Sequence, residues 1–270
     1  MIPQYILDSW KKIVPWQSLY QIEQDLVICR ALIEIFSNPI LKKSLAFRGG
    51  TALHKLFLMS ETRYSEDIDL VVCEEGAVGY IFDELQKNLN SWLGKPKRIF
   101  KENRANLIYR FNSEDASVII SKLKIEINTV EDFCVDGFYF IDFSHNSDWF
   151  KGSAKIKTFT LNEILATKLR ALYQRKKGRD LFDLYFGLKN ADVDATKLIN
   201  IFLKYMDFSD CKVSRAQFEL NMSEKIKDPI FRDDISSLLV REKDFDIEQA
   251  YLDISSILLA KLPGEPWKGK

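Results

Sequence analysis

Apolar residues recur at three- and four-residue intervals from Ile22 to Phe36, through Leu26, Val27, Leu32 and Ile33, and predict a helix with a buried face. The same period returns over Ala52 to Met59, Ile81 to Leu93, Thr196 to Met206, Ile235 to Leu239 and Ile247 to Leu262. Elsewhere the period drops to two. Asp67-Ile68-Asp69-Leu70-Val71-Val72-Cys73 opens polar and ends as an apolar strand, Asn106 to Phe111 and Ala116 to Asn128 read as strands, and Phe133 to Phe143 alternates enough for a hairpin. Over Lys122 to Asn128 the residues Leu123, Ile125 and Ile127 share one face, and Lys122, Lys124, Glu126 and Asn128 the other. Helices dominate from Leu161 onward, and Pro263-Gly264-Glu265-Pro266 begins a frayed tail. The expected fold is α+β: a small mixed sheet backed by helices, then a mostly helical C-terminal region. Its boundary falls between Lys151 and Thr160, giving a core over residues 1–155 and a helical domain over 156–270.

Two short segments carry the chemistry. Phe47-Arg48-Gly49-Gly50-Thr51 places a glycine turn ahead of the Ala52 helix, with Thr51 suited to the N-cap. Free amides at a helix start, with the positive end of its dipole, bind anions such as a triphosphate. Asp67 and Asp69 then sit two apart, on one face of a strand. Carboxylates that close repel unless a cation lies between them, and magnesium, which takes oxygen ligands and keeps waters and phosphates in its shell, suits the place. Asp-x-Asp alone is common at strand ends; the glycine turn, helix, polar turn and acidic strand in succession are not. Together they resemble the polymerase-beta-like nucleotidyltransferase signature. Many members of that superfamily add a third acid from a later strand, and Glu126 is the candidate; its plainer reading is a solvent-facing Glu beside two lysines.

Further on, Thr160-Leu161-Asn162-Glu163 has the spacing of a capping box and starts a helix through about Arg175. Leu161, Ile164, Leu165, Leu169 and Leu172 form its buried stripe, and Lys168 falls within that stripe. An ammonium there either snorkels out or meets an acid or a phosphate. Gly178 can end this helix, after which Asp180 lies near the start of the next. Asp180 serves there either as a cap or as a partner that orients Lys168 or Arg175 towards a nucleotide.

Phe47 to Val72 with Leu161 to Leu184 looks like the AbiEii/AbiGii toxin family of nucleotidyltransferases, which includes the MenT-type toxins of bacterial toxin–antitoxin pairs. The resemblance rests on Arg48-Gly49-Gly50-Thr51-Ala52-Leu53, on Arg63-Tyr64-Ser65-Glu66-Asp67-Ile68-Asp69-Leu70, and on the Lys168 to Asp180 helix pair. It implies a polymerase-beta-like core. Arg48, Gly49, Gly50 and Thr51, with Lys168 and Arg175, would bind nucleotide; Asp67, Asp69 and Glu126 would hold magnesium, in a two-metal site if a second ion joins; and Lys168 and Asp180 would be the later essential pair. The active cleft is expected between the two halves. The implied activity is transfer of NMP from a nucleoside triphosphate to an RNA acceptor, tRNA foremost, causing growth arrest that a cognate antitoxin protein holds in check. Two alternatives stay open: a nucleotidyltransferase acting on small molecules of the antibiotic type, and a non-catalytic interaction module keeping the fold.

Composition narrows these options without choosing among them. In 270 residues, 39 basic side chains balance 39 acidic ones, so affinity for nucleic acid must come from local patches. One is Lys95, Lys97, Arg98, Lys101, Arg104 and Arg110, against Glu102; the other runs from Lys151, Lys155 and Lys157 through Lys168, Arg170, Arg175, Lys176, Lys177 and Arg179. Either alone reads equally as a solvated face. Cys29, Cys73, Cys134 and Cys211 lack Cys-x-x-Cys spacing and read as buried, reduced thiols. With only His54 and His145 present, a zinc site or a histidine-based hydrolase is poorly supported. Met1 to Trp10 shows no signal-peptide pattern and no stretch reaches a membrane span, so a cytoplasmic protein is expected.

Overall fold

The computed structural model describes residues 2–269 apart from 17, 59–62, 75–77, 102–103, 114–119, 132, 236–237 and 240–244. It divides into two compact units, Met1–Phe159 and Thr160–Lys270. The 155/156 boundary expected from the sequence therefore falls within the last strand of the first unit, Lys151–Phe159.

The first unit is built on strands β1 (Leu45–Arg48), β2 (Asp67–Val72), β3 (Lys97–Lys101), β4 (Arg104–Asn112), β5 (Ile120–Asn128), β6 (Phe138–Asn146) and β7 (Lys151–Phe159), with helices α1 (Gln4–Trp10), α2 (Leu19–Ser37), α3 (Pro39–Ser44), α4 (Gly49–Ala52) and α5 (Gly79–Leu93). The strands form one mixed sheet in the order β3-β4-β5-β2-β1-β7-β6. β2 runs antiparallel to β1 and parallel to β5, which brings distant segments side by side at the centre. Sequence alternation decides the faces. Leu123, Ile125 and Ile127 of β5 and Ala105, Leu107, Tyr109 and Phe111 of β4 are buried, on the side where α2 and α5 pack. The opposite side carries Lys122, Lys124, Glu126 and Asn128 of β5 and Arg104 and Arg110 of β4. α2 is buried nearly all round, as a helix wedged beneath a sheet must be. Its Gln24 donates there from Nε2 to the Lys122 carbonyl, at 2.7 Å.

Several expectations shift. The Phe133 to Phe143 hairpin is instead β6 paired with β7, the segment in which the sequence placed the domain boundary. β7 begins Lys-Gly-Ser-Ala-Lys with most positions solvated, so it lacks the apolar alternation of a half-buried strand. β3 was concealed likewise, its five residues reading as a basic run. Met59, Glu102 and 116–119 of the strand expected from Ala116 lie outside the described residues, and so does part of the helix expected at Ile235 to Leu239.

The second unit contains α6 (Leu161–Gln174), α7 (Gly178–Asn190), α8 (Ala195–Phe208), α9 (Arg215–Lys227), α10 (Pro229–Asp233), α11 (Ile247–Ile257) and a closing turn at Leu259–Lys261. Thr160 caps α6 by accepting from the Glu163 amide at 3.3 Å. Ile164, Leu165, Leu169 and Leu172 are buried as expected, while Leu161 is half-buried. α9 escaped the sequence analysis because its apolar burial rests on Phe218 and Met222; a Ser214/Gln217 capping box starts it. The four cysteines are free thiols, but only Cys29 is buried; Cys73, Cys134 and Cys211 are partly exposed.

Candidate active site

β1 ends at Arg48, whose extended backbone caps α4, so the helix begins at Gly49 and not after Thr51. Gly49 has φ +84°, a conformation that side chains disfavour, and a Cβ built there would lie 2.0 Å from Asp69 Oδ2 and 2.8 Å from its Cγ. Glycine is required twice over, for the backbone angle and for the carboxylate lodged against the turn. Thr51 is buried; its hydroxyl donates to the Asp67 carbonyl at 2.6 Å and lies 2.8 Å from Ser65 Oγ. This corrects one expectation, since Thr51 is not the N-cap; its side chain fastens the turn to β2. What Thr51 retains for an anion is its backbone N–H near the helix start. Below the turn the helix winds into a π-type segment, Leu53–Leu58, and Lys55 in it pairs with buried Asp25 of α2 at 2.7 Å. Asp25 also accepts from Trp10 Nε1 at 3.0 Å, so the turn is anchored through α2 to α1.

The sheet register assembles the acids. Asp69 lies beside Arg48 on one flank and Glu126 on the other, and Asp67 lies beside Lys124. Paired residues of neighbouring strands project to one face, so Arg48, Asp67, Asp69, Lys124 and Glu126 share it. Glu126 thus arrives where the sequence placed it, but not unaccompanied. Lys124 Nζ is 2.9 Å from Glu126 Oε2 and 3.5 Å from Asp67 Oδ2, and Arg104 Nη1 is 3.2 Å from Glu126 Oε1. Burial alone would raise the Glu126 pKa; Lys124 and Arg104 outweigh it and the net shift is downward. Burial likewise works against the Lys124 charge, and Glu126, Asp67 and Asp69 together raise its pKa. Arg48 is engaged by Glu131 at 2.6 Å.

Among the described residues no three His, Cys, Asp or Glu side chains converge closely enough, as they stand, to enclose a metal ion. The Lys124 ammonium stands between Asp67 and Glu126 and offsets the charge of that pair. Asp67 and Asp69 remain an oxygen-only pair on one strand face. That suits magnesium, which commonly takes one or two carboxylates and completes its shell with water and phosphate.

The later set lies in the second unit. Lys168 is buried within the α6 stripe, and its Nζ reaches Asp183 Oδ2 at 2.8 Å and Asp180 Oδ1 at 3.4 Å. It does not snorkel. Arg175 grips Asp180 with two parallel bonds, Nε to Oδ2 at 2.6 Å and Nη2 to Oδ1 at 2.8 Å, while half its side chain stays exposed. Asp180 therefore acts as a partner of these cations and not as the cap, a position held by Lys177. Asp183 was missed. Its signal was an acid three residues after Asp180, within the apolar run Leu181-Phe182-Asp183-Leu184. Gly178 opens α7 instead of closing α6; a Cβ there would strike the Phe231 carbonyl at 2.2 Å. The surrounding basic run is largely neutralised within the unit: Lys176 pairs with Asp228 at 2.5 Å, and Lys177 and Arg179 with Asp234 at 2.9 and 3.6 Å.

Solved structures share this architecture. MenT4, a nucleotidyltransferase toxin from Mycobacterium tuberculosis, superposes with a TM-score of 0.67 at 14% identity, over 98% of this chain and 91% of that one. JHP933 from Helicobacter pylori gives 0.58 at 18% identity, over 90% of this chain and 91% of that one. At such identities the likeness establishes the α+β fold. Comparison with curated proteins yields no match. Family comparison goes further: residues 30–253, which include the glycine turn, the acid row and the Lys168 set, match the nucleotidyl transferase AbiEii toxin of type IV toxin–antitoxin systems, and the chain belongs to that family of nucleotidyltransferase toxins.

Proposed function

We propose that this protein transfers a nucleoside monophosphate from a triphosphate to a hydroxyl of RNA, tRNA foremost, with magnesium as its metal. The observation that carries the proposal is the Asp67–Asp69 pair on β2 with Asp69 lodged against Gly49, so that the anion-binding turn and the metal-binding acids are one structure. Asp67 and Asp69 would hold magnesium, which would supply positive charge against the phosphates; the acceptor hydroxyl would attack the α-phosphorus and pyrophosphate would depart. The amides of Gly49 to Thr51 orient the phosphates. Glu126, its pKa lowered by Lys124 and Arg104, is a poor proton acceptor and acts as a fixed anion beside Asp69. Of the two later cations Arg175 is the more exposed and is aligned by Asp180, so it would be the one to offer charge to an anion, while Lys168 holds Asp180 and Asp183.

Family membership supports an antitoxin counterpart and growth arrest in a bacterial cytoplasm, where triphosphates and tRNA are abundant. No helix among the described residues is long and apolar enough to cross a membrane. The test is incubation with each of the four α-labelled triphosphates and total RNA, with and without magnesium, beside Asp69→Asn. Label on tRNA that needs both magnesium and Asp69 supports the proposal. Label on small hydroxylated compounds alone transfers it to the antibiotic-type reading, and toxicity unchanged in Asp67→Ala and Asp69→Ala shows a non-catalytic module.

A further inference from the structure

The register sorts the first basic run of the sequence into two faces. Arg98 turns to the α5 side, bonding Gln86 at 3.1 Å and Asp83 at 3.4 Å, and Phe100 follows it to meet the Phe82 ring at 5.4 Å. Lys97 and Lys101, one residue out of phase, project with the acids. Lys97 lies beside Ile108, which lies beside Lys124, which lies beside Asp67. Lys101 lies beside Arg104, and Arg110 beside Lys122. Lys97, Lys101, Arg104, Arg110 and Lys122 are all exposed on this face. Lys122 and Lys124 had been read only as neighbours of Glu126.

The charges are graded. Next to the acids, Arg104 and Lys124 are tied to Glu126 and Asp67. Farther out, Lys97, Lys101, Arg110 and Lys122 form no ion pair among the described residues, and Glu126 is the one acid that the described parts of β3, β4 and β5 contribute. The contrast with the neutralised run at Lys176 to Arg179 is plain. Resting on the reading above, we propose that this face of β3, β4 and β5 seats the acceptor RNA by its phosphates and leads the end of the strand to Asp67 and Asp69. Strands lie about 4.8 Å apart and rise about 3.3 Å per residue, so the platform, three strands wide and running from Arg104 to Arg110, measures roughly 10 by 20 Å, room for a few phosphates of one strand end and not for a whole duplex. No aromatic ring of the described strands projects from it. Base stacking is therefore absent, and the platform binds without regard to sequence.

The experiment combines Lys97→Gln, Lys101→Gln, Arg110→Gln and Lys122→Gln, with an equal-charge control of Lys11→Gln, Lys12→Gln, Lys204→Gln and Lys261→Gln, exposed residues of other elements. Anisotropy with labelled tRNA, in an Asp69→Asn background that prevents turnover, reads affinity against salt. Four phosphate contacts on a single strand contribute about three units to the log–log salt slope. The platform variant should lose that slope and bind roughly 10- to 100-fold more weakly at moderate salt, with the control unchanged. With Asp69 intact, the KM for RNA should rise by a similar factor while the KM for triphosphate holds. Each platform substitution alone should weaken binding by a few-fold, which keeps the test decisive if the combined variant folds poorly. Wild-type labelling of RNA with an unchanged KM in the variants overturns the platform and leaves the enzyme reading standing. Absence of any RNA binding or labelling by the wild type overturns the acceptor reading, and this inference with it.

Discussion

Replacing Gly49 with alanine separates what the turn contributes to folding from what it contributes to chemistry. The new Cβ would start 2.0 Å from Asp69 Oδ2, where ordinary contact begins at 3.4 Å, so the carboxylate must retreat by more than an ångström. Holding a non-glycine residue at φ +84° costs about 1–2 kcal/mol in addition. Gly94→Ala supplies the control: its φ is +73°, yet nothing lies within 4 Å of the added methyl. Gly94→Ala should lose about 1–2 kcal/mol in urea unfolding, and Gly49→Ala at least as much. Only Gly49→Ala should lose transfer activity, by about 100-fold at saturating triphosphate, the usual consequence of displacing a catalytic group by an ångström. The assay is label transfer from α-labelled triphosphate across a magnesium titration. Transfer by Gly49→Ala within a few-fold of wild type, at the same magnesium midpoint, would falsify the claim that the turn sets the position of Asp69.

Three further outcomes follow from the geometry. Lys168→Met removes one of the cations between two fully buried carboxylates and should cost about 3–5 kcal/mol in urea, whereas Arg175→Met, from a half-exposed site, should cost well under half of that; equal losses would remove the distinction drawn between them. Lys124→Met takes away the ammonium that occupies the place between Asp67 and Glu126, so the Glu126 pKa should rise and the magnesium midpoint of transfer fall by roughly three- to tenfold; an unmoved midpoint refutes the competition. Burial pushes the His145 pKa from 6.5 down to about 4, with Asp25 working against the shift and Lys55 with it. The unfolded chain then takes up this proton first, so the contribution of His145 is intact above pH 6.5 and declines as pH falls to about 4, by up to about 3 kcal/mol. Unfolding at a series of pH values should show that slope in wild type and a shallower one in His145→Phe, which keeps a ring against Trp10; parallel curves refute it.

What the sequence discloses depends on the range of the interaction. The glycine turn, the Asp67–Asp69 pair and the Thr160 cap are local, written in residues two to four apart, and the structure forms each of them. Glu126 was found because strand alternation put it on the polar face, but its ion pairs with Lys124 and Arg104 depend on strand pairing across the sheet, which period-two patterning cannot specify. β7 and β3 escaped because strands solvated on much of both faces carry no apolar alternation. Lys168 announced itself as a charge in an apolar stripe, while Asp183, buried by the same logic on the facing helix, went unread because acids near a helix start have an easier explanation.

The acid row and the Lys168 set solve one electrostatic problem in opposite ways. In the second unit two buried carboxylates, with side-chain exposure of 0% at both, hold a buried ammonium and a half-exposed guanidinium, so loss of Lys168 leaves charge away from water with less to offset it. That is a fixed arrangement, suited to aligning a cation. On β2 and β5 the acids are only partly buried, at 37% for Asp67 and 25% for Glu126, and their compensating ammonium is a flexible lysine at 29%. Lys124 can leave for solvent at modest cost, and in the proposed reaction a divalent cation would take over its charge. Under the proposed function the exposure difference would give the two sets different roles: the buried set would align Arg175, and the solvated set would exchange its cation.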